Sequence, residues 1–262
     1  MVSLLWQKTN YTNRDIDYLK NVLITEYDIS SAGMNILYDL GAINSDKYEI
    51  LKSMKKHDRV VAIGYLLKDP KMKATIEFGF REARRIFMEQ NNLEDGSILS
   101  IKKDAIFLIN KNAGINGVIS PHIEFKKKST YNSFMQINKK EHYLNFSREN
   151  SSLTVKGYPQ AVKELHKDYL FKFLKDMMVL DLLGASKKEI FIELLKFKDD
   201  FSTRSLDKNY YKDLLTGTFP YLSPTKVYGI PNLDTSVIPL EDIDYRINLD
   251  FILTVINLLL SN

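Results

Sequence analysis

The apolar residues of this chain change period once along its length, and that change limits the folds open to it. From Asn21 to about Leu153, β-branched and aromatic runs alternate with one long helical region. From Gln160 to Leu215 apolar residues return every three or four positions. Leu165, Tyr169, Phe173, Met177 and Leu180 make one stripe, and Ile190, Leu194, Leu195 and Phe197 make another. Period two marks strands and a period near 3.6 marks amphipathic helices. The expectation is an α+β front half and a helical back half, with the changeover near 157–160. At 262 residues and 44% hydrophobic, the chain can build the core of one large domain or two small ones.

Several chemistries are excluded by composition. The chain has no Cys, which removes disulfide scaffolds, thiol catalysis, and zinc or iron–sulfur sites built on thiolates. His57, His122, His142 and His166 stand singly and form no paired-ligand motif, so neither zinc nor haem is expected. No Walker loop, GxGxxG or G-x-S-x-G is present. The 37 Lys+Arg against 33 Asp+Glu give a mild +4, which permits a polyanionic partner without requiring one. The start of the chain lacks the layout of a signal peptide. The longest apolar stretch, Leu249 to Leu260, is short of the roughly 20 residues that span a bilayer. Leu249, Ile252, Leu253, Ile256, Leu259 and Leu260 within it fall at helical spacing, so a buried C-terminal helix and a cytoplasmic protein without membrane contact are expected.

Within the front half, residues 22–30 read as a strand ending in the turn cluster Ser30-Ser31-Ala32-Gly33. Residues 45–91 read mostly as helix, broken near Asp69-Pro70 because the residue before proline is disfavoured in the α region. Ile76, Phe80, Ala83, Ile86 and Phe87 supply its apolar face, and Arg81, Arg84 and Arg85 are expected on its outer face. The helix should stop near Asn91-Asn92, before the turn Asp95-Gly96. Ile98–Ile101 and Ala105–Ile109 then read as a tight hairpin joined by Lys102-Lys103-Asp104. Further strands are expected at Gly117–Phe125, Glu141–Phe146 and 152–158, and residues 216–240, with Pro220, Pro224, Pro231 and Pro239, read as an extended connector.

Two carboxylates stand out. Asp28 ends a strand and Asp104 sits in the hairpin turn, so the two can face each other across a sheet. Together they would make an oxygen-only site for a hard divalent cation of the kind used in phosphoryl transfer. Aspartates in turns equally serve to cap the local backbone. Glu26, two residues before Asp28 on the strand, points to the same face or is simply solvated. Lys126-Lys127-Lys128 and Lys139-Lys140 are short basic runs near Tyr131, Phe134 and Tyr143. Lysines amid aromatics suit a nucleic-acid backbone, although most such runs are solvated surface.

The order of these features resembles the palm and thumb of a family B DNA polymerase. Asp28 with Ser31 in "EYDISSAGMNIL" resembles that family's Asp-x-x-Ser-Leu-Tyr-Pro-Ser segment. Asp104-Ala105-Ile106-Phe107 resembles the second half of its Tyr-Gly-Asp-Thr-Asp-Ser-Ile-Phe hairpin. "INKKEHYLNF" (137–146) is similar to the Lys-Lys-x-Tyr segment on the primer–template backbone. Residues 154–178 resemble the Lys-Gly strand and first thumb helix, and 239–260 the closing segment. The resemblance implies a palm-like α+β domain over 1–158 with a short helical fingers-like insertion at about 45–75, and a helical thumb-like domain over 159–262.

It further implies Asp28 and Asp104 as catalytic residues and Mg²⁺ ligands. Arg59, Lys68, Lys71 and Lys73 would grip a nucleoside triphosphate, and Lys139, Lys140, Tyr143, Lys156 and Gly157 would touch nucleic acid. The implied partners are a DNA or RNA primer–template and a second polymerase subunit or a host transcription or replication protein. There are departures. Gly33 stands where the family has a Tyr under the sugar, Lys102 stands where it has the hairpin's first Asp, and the usual fingers motif is not legible. Lys102 could pair with a carboxylate in place of a metal. The expected function is therefore a reduced palm–thumb module that binds nucleic acid in replication or transcription and is non-catalytic or partner-dependent. The alternative is an active, minimal or split nucleotidyltransferase. A chain without exonuclease or other accessory domains suits a phage or mobile element.

Overall fold

In a computed structural model, the described residues are 3–111, 114–147, 149–220 and 244–261. The expected connector at 216–240 lies outside them from 221 onward. The fold is α+β, and the chain divides into two compact units, Met1–Asp15 with Val22–Thr130 and Ile16–Asn21 with Tyr131–Asn262. Among the described residues no helix is long and apolar enough to cross a membrane.

The first unit is built on strands β1 (Asn10–Thr12), β2 (Tyr18–Ile29), β3 (Ile98–Lys102), β4 (Ala105–Ile109) and β5 (Phe125–Ile137), in the order β1-β3-β4-β2-β5. Strands β2 and β5 contribute residues to both units. Four helices follow β2: α1 (Ala32–Asp39), α2 (Ser45–Ser53), α3 (Lys56–Leu66) and α4 (Pro70–Gln90). The 45–91 region breaks at Asp69-Pro70 as the proline requires, with the Asp69 side chain accepting from the Lys71 amide. It breaks again at Met54-Lys55, which no sequence signal announced. The core joins Ile36 and Leu37 of α1, Ile76, Phe80 and Phe87 of α4, and Ile101, Ile106 and Leu108 of the hairpin.

Three expectations are corrected here. The cluster Ser30-Ser31-Ala32-Gly33 does turn the chain, with Ser31 at φ +52°, but it opens directly into α1, whose eight residues are too few to show a period. Gly117–Phe125 is a loop closed by a single bridge between Val118 and Glu124, and the strand begins only at Phe125. Lys126, Lys127 and Lys128 are all exposed on that strand, so they carried no apolar alternation by which to read it. Arg84 belongs to the buried face of α4, not the outer one, at 1% exposure.

Helices α1 and α4 approach closely at Gly79. A Cβ added there would meet Ile36 Cγ2 at 2.2 Å and Leu40 Cδ1 at 3.0 Å. Gly79→Ala should therefore cost about 2 kcal/mol through overpacking, although alanine is the better helix former. Chemical denaturation measures this directly, and an unchanged or raised stability would contradict the close approach.

The second unit carries β6 (Lys140–Phe146) and β7 (Ser151–Lys156) beyond β5, then α5 (Gln160–His166), α6 (Leu170–Leu182), α7 (Lys187–Ser202) and α8 (Arg246–Ser261). Sheet gives way to helix between Lys156 and Gln160, while the compact units divide the chain at other points. The core is made by Leu170, Phe171, Leu174 and Met178 of α6, Ile190, Leu194 and Phe201 of α7, and Phe251, Ile252, Val255 and Leu259 of α8. This corrects the stripe expected through Leu165, Tyr169 and Met177. The helix stops at His166 and restarts at Leu170, so the helical count is reset and those three residues are only half-buried. In α8 the period is as read, but the buried face lies over Phe251 and Val255, and Leu253 is exposed.

Candidate functional site

A cleft of about 860 Å³ opens in the first unit and brings Asp28 and Asp104 together. Asp28 lies one residue before the end of β2, opposite Ala105 in the β2–β4 register. The Ile29 amide donates to the Asp104 main-chain carbonyl at 3.1 Å, which ties the hairpin turn to the strand end. Burial raises the Asp104 pKa above its ordinary value, and the neighbouring Asp28 charge adds to the effect. Two carboxylates from distant parts of the sequence thus share one half-buried corner.

The turn that holds Asp104 is anchored from below. Arg84 donates through Nη1 to the Lys103 carbonyl at 2.7 Å and through Nε to the Trp6 carbonyl at 3.0 Å. Its desolvated guanidinium is pulled down to about 10, burial being the main cause and the Arg81 charge the lesser one. Sequence reasoning missed this role because a mid-helix arginine ordinarily faces solvent.

Cations line the same cleft: Lys56 and Arg59 from α3, Lys103 from the hairpin turn, and Lys126, Lys127 and Lys128 from β5. Lys128 Nζ stands 2.6 Å from Asp28 Oδ2 and 3.4 Å from Glu26 Oε1. Burial works against the Lys128 charge, but the hydrogen bond to Asp28 and the charges of Glu26 and Asp28 outweigh it and hold its pKa up. The ammonium facing the carboxylate is therefore that of Lys128. Lys102, expected as its competitor, donates instead to Thr12 Oγ1 at 3.2 Å. Glu26 is buried on the strand rather than solvated.

The remaining wall is apolar (Val60, Ile63, Leu67, Ile76 and Phe80), and α1 starts at the cleft, with Ser30, Ser31 and Gly33 in its lining. The first turn of α1 has no acidic residue and no side-chain cap, so the positive end of its dipole is not offset by its own side chains. A Cβ at Gly33 would come within 3.1 Å of Ile76 Cδ1 and 3.3 Å of Ile63 Cγ2. A large ring at this position would have to displace both.

Of the residues expected to grip a triphosphate, Arg59 lines the cleft. Lys68 lies with its ammonium 4.5 Å over the Tyr65 ring, and Lys71 and Lys73 are exposed on the first turn of α4, outside the cleft lining. The residues expected to touch nucleic acid belong to the second unit. Lys139 is exposed at the β5–β6 turn. Lys140 donates to the Gly157 carbonyl, and Lys156 lies opposite Glu141 on paired strands. Tyr143 is fully buried and its hydroxyl donates to Glu141 Oε2, so it packs the sheet and offers no face to a ligand.

The donor chemistry of Asp28 and Asp104 fits a hard cation. Both offer carboxylate oxygen, and Mg²⁺ characteristically binds one or two carboxylates together with phosphate oxygens. The Asp104 pKa is raised mainly by burial and further by the Asp28 charge, and a cation between the two carboxylates would offset that second contribution. Among the described residues there is no group of three or more His, Cys, Asp or Glu side chains that could hold a metal, so an all-protein cage is not formed.

A family model described as the Bacteriophage PBS1 gene 130 protein matches residues 1–261. No curated protein matches the chain.

Proposed function

We propose, from the premise that the chain belongs to the family of the bacteriophage PBS1 gene 130 protein, that the first-unit cleft binds the phosphate backbone of nucleic acid. The carrying observation is charge. Six cationic side chains line a cleft whose lining holds two carboxylates, in a chain of only +4 overall. Lysine and arginine supply most of the affinity for phosphates by releasing condensed counterions, and the apolar wall gives bases or sugars a surface to rest on. In this reading the protein is a reduced, polymerase-like module that holds a DNA or RNA strand during phage replication or transcription in the cytoplasm. It does so alone or with a polymerase subunit or host protein. The Lys128 ammonium on Asp28 favours binding without catalysis. Lys139, Lys140, Lys156 and Gly157 of the second unit would make backbone contacts of their own.

A second reading rests on the Asp28–Asp104 pair. With Mg²⁺ on these carboxylates, charge neutralisation at a reacting phosphate would become available. Lys56 and Arg59 would then orient the triphosphate, and the Arg84-anchored turn would fix Asp104.

Oligonucleotide binding tests the first reading. For about five phosphate contacts on a single strand, log affinity should fall with log salt at a slope of roughly −3.5. Salt-insensitive or absent binding would remove it. Primer extension with Mg²⁺ or Mn²⁺ tests the second, by comparing wild type with Asp28→Asn and Asp104→Asn. Wild type that extends no primer, with or without partners, would sink that reading and leave the first intact.

A further inference from the structure

We infer that Lys128 is a built-in counter-cation of Asp28 that a divalent metal must displace, so that the cleft exchanges an internal ammonium for a bound ion. The inference rests on the second reading above. The partners differ in exposure. Glu26 and Asp28 are fixed on β2 with side chains only 2% and 24% exposed, whereas the Lys128 side chain is 51% exposed. The ammonium ends a flexible four-carbon stem that can swing toward solvent once a metal takes over its charge on the carboxylates. The carboxylates cannot follow it.

With Lys128 swung away, Asp28 and the half-buried Asp104 remain as neighbouring carboxylates, with Lys103 the other cationic side chain acting on Asp104. Carboxylate oxygens freed in this way are ligands for a hard cation. A metal at Asp28 and the Lys128 ammonium are thus mutually exclusive. The displaced lysine, still on the cleft lining, becomes available to a phosphate. Metal and phosphate would then favour each other's binding by a linkage that must be reciprocal.

The experiment is Mn²⁺ binding to the full chain without nucleic acid, followed by the electron spin resonance of the free ion. Four proteins are compared: wild type, Lys128→Gln, Lys128→Arg, and Lys128→Gln combined with Asp28→Asn. Lys128→Gln should bind Mn²⁺ about tenfold more tightly than wild type, the scale of a partly exposed ion pair removed from competition. Lys128→Arg keeps a cation and should match wild type, and the double variant should lose the gain. A thermal melt guards against misfolding, since Mn²⁺ should raise the melting temperature of Lys128→Gln more than that of wild type. Equal Mn²⁺ affinity in wild type and Lys128→Gln would overturn the exchange and leave the metal reading standing. Absence of Mn²⁺ binding from both would overturn the exchange and the metal reading together.

Discussion

Between pH 6.5 and pH 4 the second unit should lose about 3 kcal/mol of stability for each of two buried histidines. His142 and His166 are fully buried, and burial pushes both from 6.5 down to about 4. The unfolded chain therefore takes up protons first as the pH falls. Stability is complete above pH 6.5, rises with pH through the window, and is lost on the way down to pH 4. His142 is held neutral from both sides, its Nδ1 paired with the Met135 carbonyl and its Nε2 with the Tyr158 hydroxyl at 3.0 Å. Burial raises the Tyr158 pKa, so that hydroxyl stays protonated and donates.

Among the described residues neither ring nitrogen of His166 has a partner in hydrogen-bond geometry, although the Lys212 and Asp213 backbone lies near enough to offset part of the burial effect, and the ring lies edge-on to Phe171. His166→Met should accordingly fold and lose about half of the histidine-dependent acid sensitivity. Its own loss on acidification should be about 3 kcal/mol smaller than that of wild type. Urea denaturation at pH 7 and pH 4.5 checks this, and the difference between the two proteins cancels the shared titration of carboxylates. Identical pH profiles for the two would show that His166 is not buried neutral.

The second large effect lies at Arg84. Arg84→Met should destabilise the first unit by about 3 kcal/mol. The variant fills most of the volume and removes a desolvated charge, which works in its favour. Against this, it loses two hydrogen bonds from a cation and leaves the Trp6 and Lys103 carbonyls without this donor. Two lost charge-assisted hydrogen bonds at half-buried carbonyls cost more than the charge relief returns. The sequence has one tryptophan, Trp6, so its fluorescence during urea denaturation reports this unit selectively. The same variant should weaken oligonucleotide binding at concentrations where it is still folded, because the Lys103-Asp104 turn loses its anchor. A stability within about 0.5 kcal/mol of wild type, the range of an ordinary surface substitution, would contradict the anchoring role.

What the sequence made legible follows from how local each signal is. The strand ending at Asp28, the hairpin around Asp104 and the proline break at Pro70 rest on neighbouring residues, and each is found where expected. Strand β5 was hidden because Lys126-Lys127-Lys128 has no apolar alternation, and its pairing is set by strands remote in sequence. That single omission concealed the lysine facing Asp28 and put Lys102 in its place. The core face of α6 was misread for a related reason. A three-residue interruption rotates every later position, and periodicity across it points the wrong way. Arg84 was hidden by its chemistry, since a buried cation that donates to main-chain carbonyls gives no carboxylate in the sequence by which to find it.

The central claim is that nucleic acid is held in the first-unit cleft, and charge reversal there tests it most directly. Single-stranded oligonucleotide affinity at fixed salt should be compared for wild type, Lys126→Glu/Lys127→Glu, and Lys188→Glu/Lys196→Glu. Lys126 and Lys127 line the cleft, whereas Lys188 and Lys196 are exposed on α7 of the second unit. Both variants change net charge by the same amount, so any difference between them is local. The cleft variant should lose roughly 100-fold in affinity and flatten the salt slope, and the α7 variant should lose no more than about threefold. Equal losses in the two variants, or a wild type that does not bind, would contradict the assignment of the cleft.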